Sequence, residues 1–147
     1  MRFLLSTAVV LVLVVGCAPE KAADKPAPYA DLTEVYSRVT EIQDQLIAGL
    51  SAAQDGDRVA TVIRTYASKM REAGPALARA QGNHPELRSS ETPPAELAAT
   101  VAALNASTGR MMDSLAKVQQ FMDDEAVVAA MGDLTKAAQA QFPDVLQ

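Results

Sequence analysis

Few side chains in this chain of 147 residues could carry out covalent or acid–base chemistry. It has a single cysteine, Cys17, and a single histidine, His84, which lie far apart in the sequence. A thiolate can act as a nucleophile or a metal ligand, but the sequence contains no HExxH, paired ExxH, CxxC or GxSxG motif and no glycine-rich phosphate loop. Because the usual nucleophilic and metal-dependent mechanisms need such sets of residues, we predict a protein that is not an enzyme and carries no cofactor.

The cysteine closes an apolar N-terminal segment. Arg2 gives this segment one positive charge, residues 3–15 are almost entirely apolar, and the small residue Gly16 precedes Cys17. This is the three-part arrangement of a secretory signal peptide, with a basic start, an apolar centre and a cleavage site of small residues. An apolar helix of this length reaches only about 20 Å, whereas the core of a bilayer is about 30 Å thick. The pattern therefore predicts a signal peptide over residues 1–16 that is removed, and not a permanent membrane span.

The residues at the cleavage site indicate a more specific process. Val14, Val15, Gly16 and Cys17 resemble the lipobox of bacterial lipoproteins, in which an aliphatic residue stands two places before a small residue that precedes cysteine. The resemblance implies transfer of diacylglycerol to the Cys17 sulfur, cleavage between Gly16 and Cys17, and, in many bacteria, acylation of the new amino terminus. The alternatives are an ordinary signal peptide with an incidental cysteine and a buried core cysteine. Because two or three acyl chains on one residue hold a protein firmly at a membrane, we predict Cys17 as the lipid-attachment site.

The residue after Cys17 indicates in which membrane a lipoprotein is anchored. In bacteria with two membranes, an aspartate at this position resembles a signal for retention in the inner membrane, and Ala18 stands there instead. The resemblance therefore implies an outer-membrane lipoprotein whose folded part faces the periplasm.

Removal of the leader leaves 131 of the 147 residues, enough for one domain. With Arg2 gone, 12 basic residues face 18 acidic ones, a formal charge of −6. Such a surface repels nucleic acid and anionic headgroups, so nucleic acid is excluded as a partner. The abundance of alanine and the scarcity of aromatic residues favour closely packed helices over a β-sandwich.

The remaining chain divides into a tether and a helical domain. Residues 17–28 mix proline, alanine and charges without apolar periodicity, which predicts a flexible tether of at most about 40 Å. From residue 29 to residue 147 we predict the domain. Its first helix is expected to start at a capping box formed by Asp31 and Glu34 and to end near Gln54. Its apolar stripe consists of Leu32, Val35, Tyr36, Val39, Ile42, Leu46, Leu50 and Ala53.

The second helix is predicted to begin at a cap in the segment 55–57 and to kink or end early at Pro75. A polar stretch over residues 81–91 follows, and we predict one long surface loop there that carries His84 as an exposed histidine. The apolar stripe of this helix consists of Val59, Val62, Ile63, Tyr66, Met70, Ala73 and Leu77.

The third helix is predicted to start at a Thr92 cap and to break near Asp123, whose carboxylate would cap a fourth helix that ends at Pro143. Without that break, Glu125 would fall in the core. The stripe of the third helix steps regularly by four and three residues through Leu97, Val101, Leu104, Thr108, Met111, Leu115, Val118 and Met122.

Four amphipathic helices with short, long and short connections predict an all-α, up-down-up-down four-helix bundle. Its order and length resemble the periplasmic four-helix-bundle cytochromes of the b and c-prime types, at the level of architecture only. Those proteins bind haem through a histidine in the last helix, with a methionine in the first helix or a CxxCH attachment. This sequence has none of these ligands, so the resemblance extends to shape and not to haem.

We therefore predict a protein of the cell envelope that acts by binding or scaffolding, with another envelope protein as its partner. The alternative is a carrier that holds a small ligand or a metal in the bundle interior. Thioether ligands for Cu(I) would come from Met70, Met111, Met112, Met122 and Met131, although methionine is also a common gap-filling core residue. Gly49, on the stripe of the first helix, permits either close helix contact or room for a ligand, and close contact is the favoured interpretation.

Overall fold

The computed structural model of the chain describes residues 27–90 and 92–141. It contains helices α1 (Ala30–Ala52), α2 (Gly56–Asn83), α3 (Ala95–Gln119) and α4 (Glu125–Gln141), with a short 3-10 helix at Pro85–Ser89 between α2 and α3. The chain reverses direction at each connection, and the helices pack as an all-α four-helix bundle. The predicted fold class is confirmed. The end of α4 predicted at Pro143 lies outside the described residues.

Contacts between α1 and α3 keep a nearly constant separation in sequence. Gln43 bonds Thr108, Asp44 bonds Arg110, and the Lys117 ammonium donates to the carbonyl of Ala53. Partners that advance together along both helices mean that α1 and α3 run in the same direction side by side. The described helices thus pack with α1 against both α2 and α3, and with α2 against α4.

The start of α1 differs from the predicted capping box. The helix begins at Ala30, one residue before Asp31, and the preceding Tyr29 has a left-handed backbone conformation (φ 67°) and makes no side-chain capping bond. Asp31 lies in the first turn, where its carboxylate accepts a hydrogen bond from the Leu32 N–H at 2.9 Å. The same carboxylate is bound by Asn83 and His84, so its role is to join α1 to the end of α2.

The signals at the α1–α2 turn are confirmed. Asp55 is the N-cap of α2, and its carboxylate accepts from the Arg58 N–H at 2.8 Å. Pro75, however, lies inside α2, which continues to Asn83. The early end predicted at the proline is therefore wrong. Ala73 and Ala80 are buried on either side of Pro75, so tertiary packing holds both halves of the helix.

The long loop predicted over residues 81–91 is shorter in the structure. Its first residues belong to α2, and the 3-10 helix Pro85–Ser89 occupies most of the rest. Leu87, within that short helix, packs against a small apolar cluster at this end of the bundle. The N-cap of α3 is Pro94, which makes no side-chain capping bond, so the predicted Thr92 cap is wrong although α3 starts close to the predicted place.

The break between α3 and α4 is confirmed. Residues 120–124 form a turn and α4 begins at Glu125, which is exposed as predicted. The capping carboxylate belongs to Asp124 and not to Asp123, because Asp124 Oδ1 accepts from the Ala126 N–H at 2.8 Å. The turn also approaches the start of α2: a β-carbon added to Gly56 would lie 3.0 Å from the Asp124 β-carbon.

The core has two parts. The main cluster lies toward the α1–α2 and α3–α4 connections. All four helices or their ends contribute buried residues to it: Leu46, Leu50, Ala53, Val59, Ala60, Ile63, Val118, Val127 and Ala130. The small apolar cluster at the opposite end consists of Leu32, Val35, Ala80 and Leu97, with Leu87 and both Tyr29 and Tyr36 packed against it. The predicted stripe of α3 is only partly core. Leu97 and Val118 are buried, the stripe residues between them are half-buried, and Met122, which lies beyond α3 in the turn, is 45% exposed.

α1 and α2 approach each other closely at Gly49. A β-carbon at this position would lie 2.8 and 2.9 Å from the two methyl groups of Val62, which confirms close helix contact as the reason for the glycine. A β-carbon added to Gly109, in α3, would have no atom within 4 Å apart from the neighbouring backbone of its own helix.

These two glycines give a matched test of helix packing. Gly109→Ala should stabilise the domain by up to about 1 kcal/mol through higher helix propensity. Gly49→Ala should lose that gain, since the stiff Val62 side chain has to move, and overpacking typically costs about 1–3 kcal/mol. Urea unfolding followed by circular dichroism measures both. Equal stabilisation by the two substitutions would show that α1 and α2 can separate freely at Gly49.

Candidate functional site

The predicted lipid-attachment residue Cys17 and the cleavage residue Gly16 lie outside the described residues. The first described residues, from residue 27 onward, lie just before α1. There the Ala30 N–H donates to the Ala27 carbonyl at 3.0 Å, forming a turn that leads into α1. His84 lies at the same end of the bundle, since its ring contacts Asp31 in the first turn of α1.

His84 is not the exposed loop histidine that the sequence predicted. Its side chain is 19% exposed and lies between three residues from two segments of the chain. Nε2 is 2.8 Å from Asp31 Oδ1, and Nδ1 is 3.4 Å from Glu86 Oε1. The ring also packs against the Tyr29 ring at a centroid distance of 4.9 Å and an interplanar angle of 53°. Asn83 completes the group by donating to Asp31 Oδ2 at 3.0 Å.

The electrostatics of this group favour the charged forms of both partners. The hydrogen bond to Asp31 raises the pKa of His84 above its ordinary 6.5, and the carboxylate of Glu86 adds to the effect. Hydrogen bonds from Asn83 and then His84 lower the pKa of Asp31 below its ordinary 3.8. The two side chains therefore form an imidazolium–carboxylate pair at moderately acidic pH.

The residues around His84 are not arranged to bind a metal ion. Its carboxylates bind opposite nitrogens of the ring, so they cannot converge with it on one metal ion. Among residues 27–90 and 92–141, no set of three or more histidine, cysteine, aspartate or glutamate residues could hold a metal. The arrangement acts as a structural connection between α1 and the α2–α3 connection.

This connection is one that sequence reasoning missed. Asp31 and His84 are separated by 53 residues, and nothing local links them. The only available signal was the antiparallel hairpin itself, which must place the start of α1 near the end of α2.

A second polar group lies at the middle of the α1–α3 interface. The fully buried Ser107 donates to Asp44 Oδ1 at 2.7 Å, and Arg110 donates to the same oxygen at 2.8 Å. The bond from Ser107, followed by that from Arg110, lowers the pKa of the Asp44 carboxyl. Gln43, also buried, donates to the Thr108 hydroxyl at 3.1 Å. These directional bonds specify one register of α3 along α1, because a shift by one residue would leave Ser107 and Gln43 buried without partners.

Lys117 completes the end of α1. The last turn of α1 contains no basic residue, and the Lys117 ammonium from α3 donates to the carbonyls of Ser51 at 3.1 Å and Ala53 at 2.6 Å. A cation at a helix C-terminus also interacts favourably with the helix dipole.

Lys117→Met, which keeps the length of the side chain and removes its charge, should destabilise the domain by about 1 kcal/mol. Lys136→Met is the matched control, since Lys136 is exposed on α4. Guanidinium unfolding midpoints would measure the difference. An equal, small effect of both substitutions would contradict the capping role of Lys117.

The methionines proposed as copper ligands have different surroundings. Met111 and Met131 pack against the main core cluster, whereas Met112 is 61% exposed and Met122 is 45% exposed. This distribution is typical of gap-filling and surface residues and gives the copper alternative no support. The space beside Gly49 is filled by Val62. The groove of about 560 Å³ next to them follows the surface at the α1–α2 turn, lined also by Asp55 and Arg58.

Within the described part of the chain, no helix is both long enough and apolar enough to cross a bilayer. Comparisons with protein-family models, with curated proteins and with solved structures find no match for this chain.

Proposed function

We propose that this chain is a bacterial envelope lipoprotein, held at the membrane by acyl chains on Cys17. Its bundle faces the periplasm, in two-membrane bacteria from the outer membrane, and acts without catalysis by binding or scaffolding other envelope proteins. The observation that carries the proposal is the place of the only cysteine, directly after Val14, Val15 and Gly16 at the end of a short apolar leader. A thiol is needed at that position because it is the side chain that the acyl-glycerol transfer modifies.

The geometry of the bundle is compatible with such an anchor. A tether of twelve residues reaches at most about 40 Å, and α1 has 23 residues, which gives it a length of about 35 Å. The turns at residues 53–55 and 120–124 lie at the end of the bundle opposite the tether. An anchored bundle can therefore present these turns well above the bilayer surface.

Polar groups of the described residues are held in structural contacts, which supports a binding role. In the described residues the only histidine is engaged by carboxylates on both sides, and the fully buried Ser107 is bonded to Asp44. A binding surface, by contrast, needs only exposed side chains of suitable shape. Met112 and Val128 are large apolar residues that are 61% and 48% exposed.

The lipid claim is tested on the N-terminal tryptic peptide of the protein purified from bacterial membranes. Cleavage after Lys21 should release residues 17–21 carrying a diacylglycerol group on Cys17, visible as an increase in mass. An unmodified peptide, or a mature chain that starts at another residue, would contradict the proposal.

The binding claim is tested by photo-crosslinking in intact cells. Crosslinkers at Met112 and Val128 should give a discrete adduct with an envelope protein, whereas a crosslinker at Lys136 on α4 serves as a control position. Native mass spectrometry of the same purified protein separates the alternatives. A stoichiometric small molecule or copper ion on the folded chain would favour the carrier function instead.

A further inference from the structure

We propose that His84 is a latch that tightens in acid, tying the start of α1 to the α2–α3 connection and so fixing the turn at Tyr29 through which the chain enters α1. The latch consists of Asp31, Asn83, His84 and Glu86, with the Tyr29 ring packed on the imidazole. It depends on the geometry of these residues and not on the proposed anchoring of Cys17.

The positions of the two carboxylates define the protonation state that completes the latch. Asp31 faces Nε2 and Glu86 faces Nδ1, at 2.8 and 3.4 Å. A neutral imidazole has one N–H and can donate to only one of them, whereas an imidazolium donates to both. Loss of the proton therefore removes one of the two connections and the charge that strengthens the other.

The residues held by the latch belong to two segments of the chain that are distant in sequence. Asp31 lies in the first turn of α1, Glu86 lies in the 3-10 helix, and Tyr29 is the left-handed residue at which the tether turns into α1. Leu32 and Leu87, neighbours of Asp31 and Glu86 in the chain, pack in the small apolar cluster beneath them. A weaker latch would loosen the start of α1 and the 3-10 helix together, while the main core cluster is at the other end.

Other charged groups lie close to the latch. Glu34 and Arg38 from α1 and Arg79 from α2 line a groove of about 230 Å³ together with Asp31 and Asn83. Tyr29 and Glu86 face the ring directly. Histidine is the side chain whose ordinary titration falls between about pH 5 and 8, and His84 is the only one in the chain.

The direction of the pH dependence follows from the two titrations. The pKa of His84 is raised from 6.5 by Asp31, so its stabilising effect is complete below 6.5 and is lost as the pH rises through the higher value in the folded protein. The pKa of Asp31 is lowered from 3.8, so its effect persists above 3.8 and is lost only as the pH falls through the lower value in the folded protein. The latch is thus fully formed between pH 3.8 and pH 6.5 and weakens as the pH rises above the pKa of His84 in the folded protein.

The test follows the single imidazole by NMR in the full chain purified in mild detergent. In the wild type it should titrate above 6.5. Asp31→Asn should move the titration toward that value, and Glu86→Gln should move it by less. Glu34→Gln, one turn further along α1, is the control and should leave it nearly unchanged. Titration of the wild-type imidazole at or below 6.5, or an equal shift in the Glu34→Gln control, would overturn the proposal.

Hydrogen exchange supplies a second readout that does not depend on Asp31→Asn folding. Protection factors of the Leu32, Thr33 and Leu87 amides should fall by about threefold or more between about pH 6 and pH 8 in the wild type. In His84→Gln they should be low and independent of pH over the same range, whereas amides around Ile63 in the main core should stay protected in both proteins. Unchanged protection of Leu32 and Leu87 in the wild type would show that no latch operates.

Discussion

Cys17→Ser is expected to abolish lipid attachment. A serine hydroxyl is far less nucleophilic than a thiol near neutral pH, so the acyl-glycerol transfer should fail. If cleavage follows lipid transfer, as the lipobox resemblance implies, the variant should also retain residues 1–16. In cells labelled with a radioactive fatty acid, the purified variant should carry only background radioactivity. In electrophoresis it should migrate as a larger species than the wild type.

The neighbouring position supplies the control. Ala18→Ser keeps the cysteine and should be labelled and processed normally. Ala18→Asp should also be labelled, but in a bacterium with two membranes it should move from the outer to the inner membrane in a density gradient. Fatty-acid labelling of Cys17→Ser at the wild-type level would place the lipid elsewhere and refute the anchor.

Local signals predicted most of the fold. The Asp55 cap and the loss of apolar phase before Glu125 are determined by residues within one or two helical turns, and both boundaries lie close to where the sequence placed them. The same applies to Gly49, whose place on an apolar stripe favoured close helix contact, and which lies against Val62 in the structure. Caps and helical periodicity are properties of neighbouring residues, so they can be seen in a single sequence.

Two of the errors have a different physical origin, since each involves tertiary packing that local sequence does not show. Asp31 has the residue type and position of a cap, yet it is bound by Asn83 and His84 from the end of α2. Pro75 should end a helix by its local chemistry, but burial of its neighbours on α2 keeps the helix continuous. Tertiary contacts outweighed local preference in both cases.

The candidate site was less predictable than the fold. The lipobox lies outside the described residues and stays a prediction, while the polar groups around His84 and Ser107 arise only when α1 meets its partners. Seven-residue regularity in α3 predicted a continuous buried stripe, but α3 packs mainly on α1, and Leu104 and Leu115 are only half-buried. A periodic pattern identifies the face that turns inward and does not tell how deeply that face is covered.

This difference in depth makes Leu50→Asp the most damaging core substitution. Leu50 is fully buried in the main cluster, in the company of Val59 and Val127. An aspartate side chain buried there without a partner reduces the folding free energy by several kcal/mol, even when its carboxyl group is protonated. This loss is comparable with the total stability of about 5–15 kcal/mol for a domain. The variant should therefore show no cooperative thermal transition and little resistance to protease. Leu104→Asp and Leu115→Asp should destabilise the domain less and leave a transition at lower temperature, because both residues are already partly exposed. Met112→Asp, at a residue that is 61% exposed, should melt close to the wild type. If Leu50→Asp unfolds no more readily than Leu104→Asp, the main cluster does not hold the bundle together in the way its burial indicates.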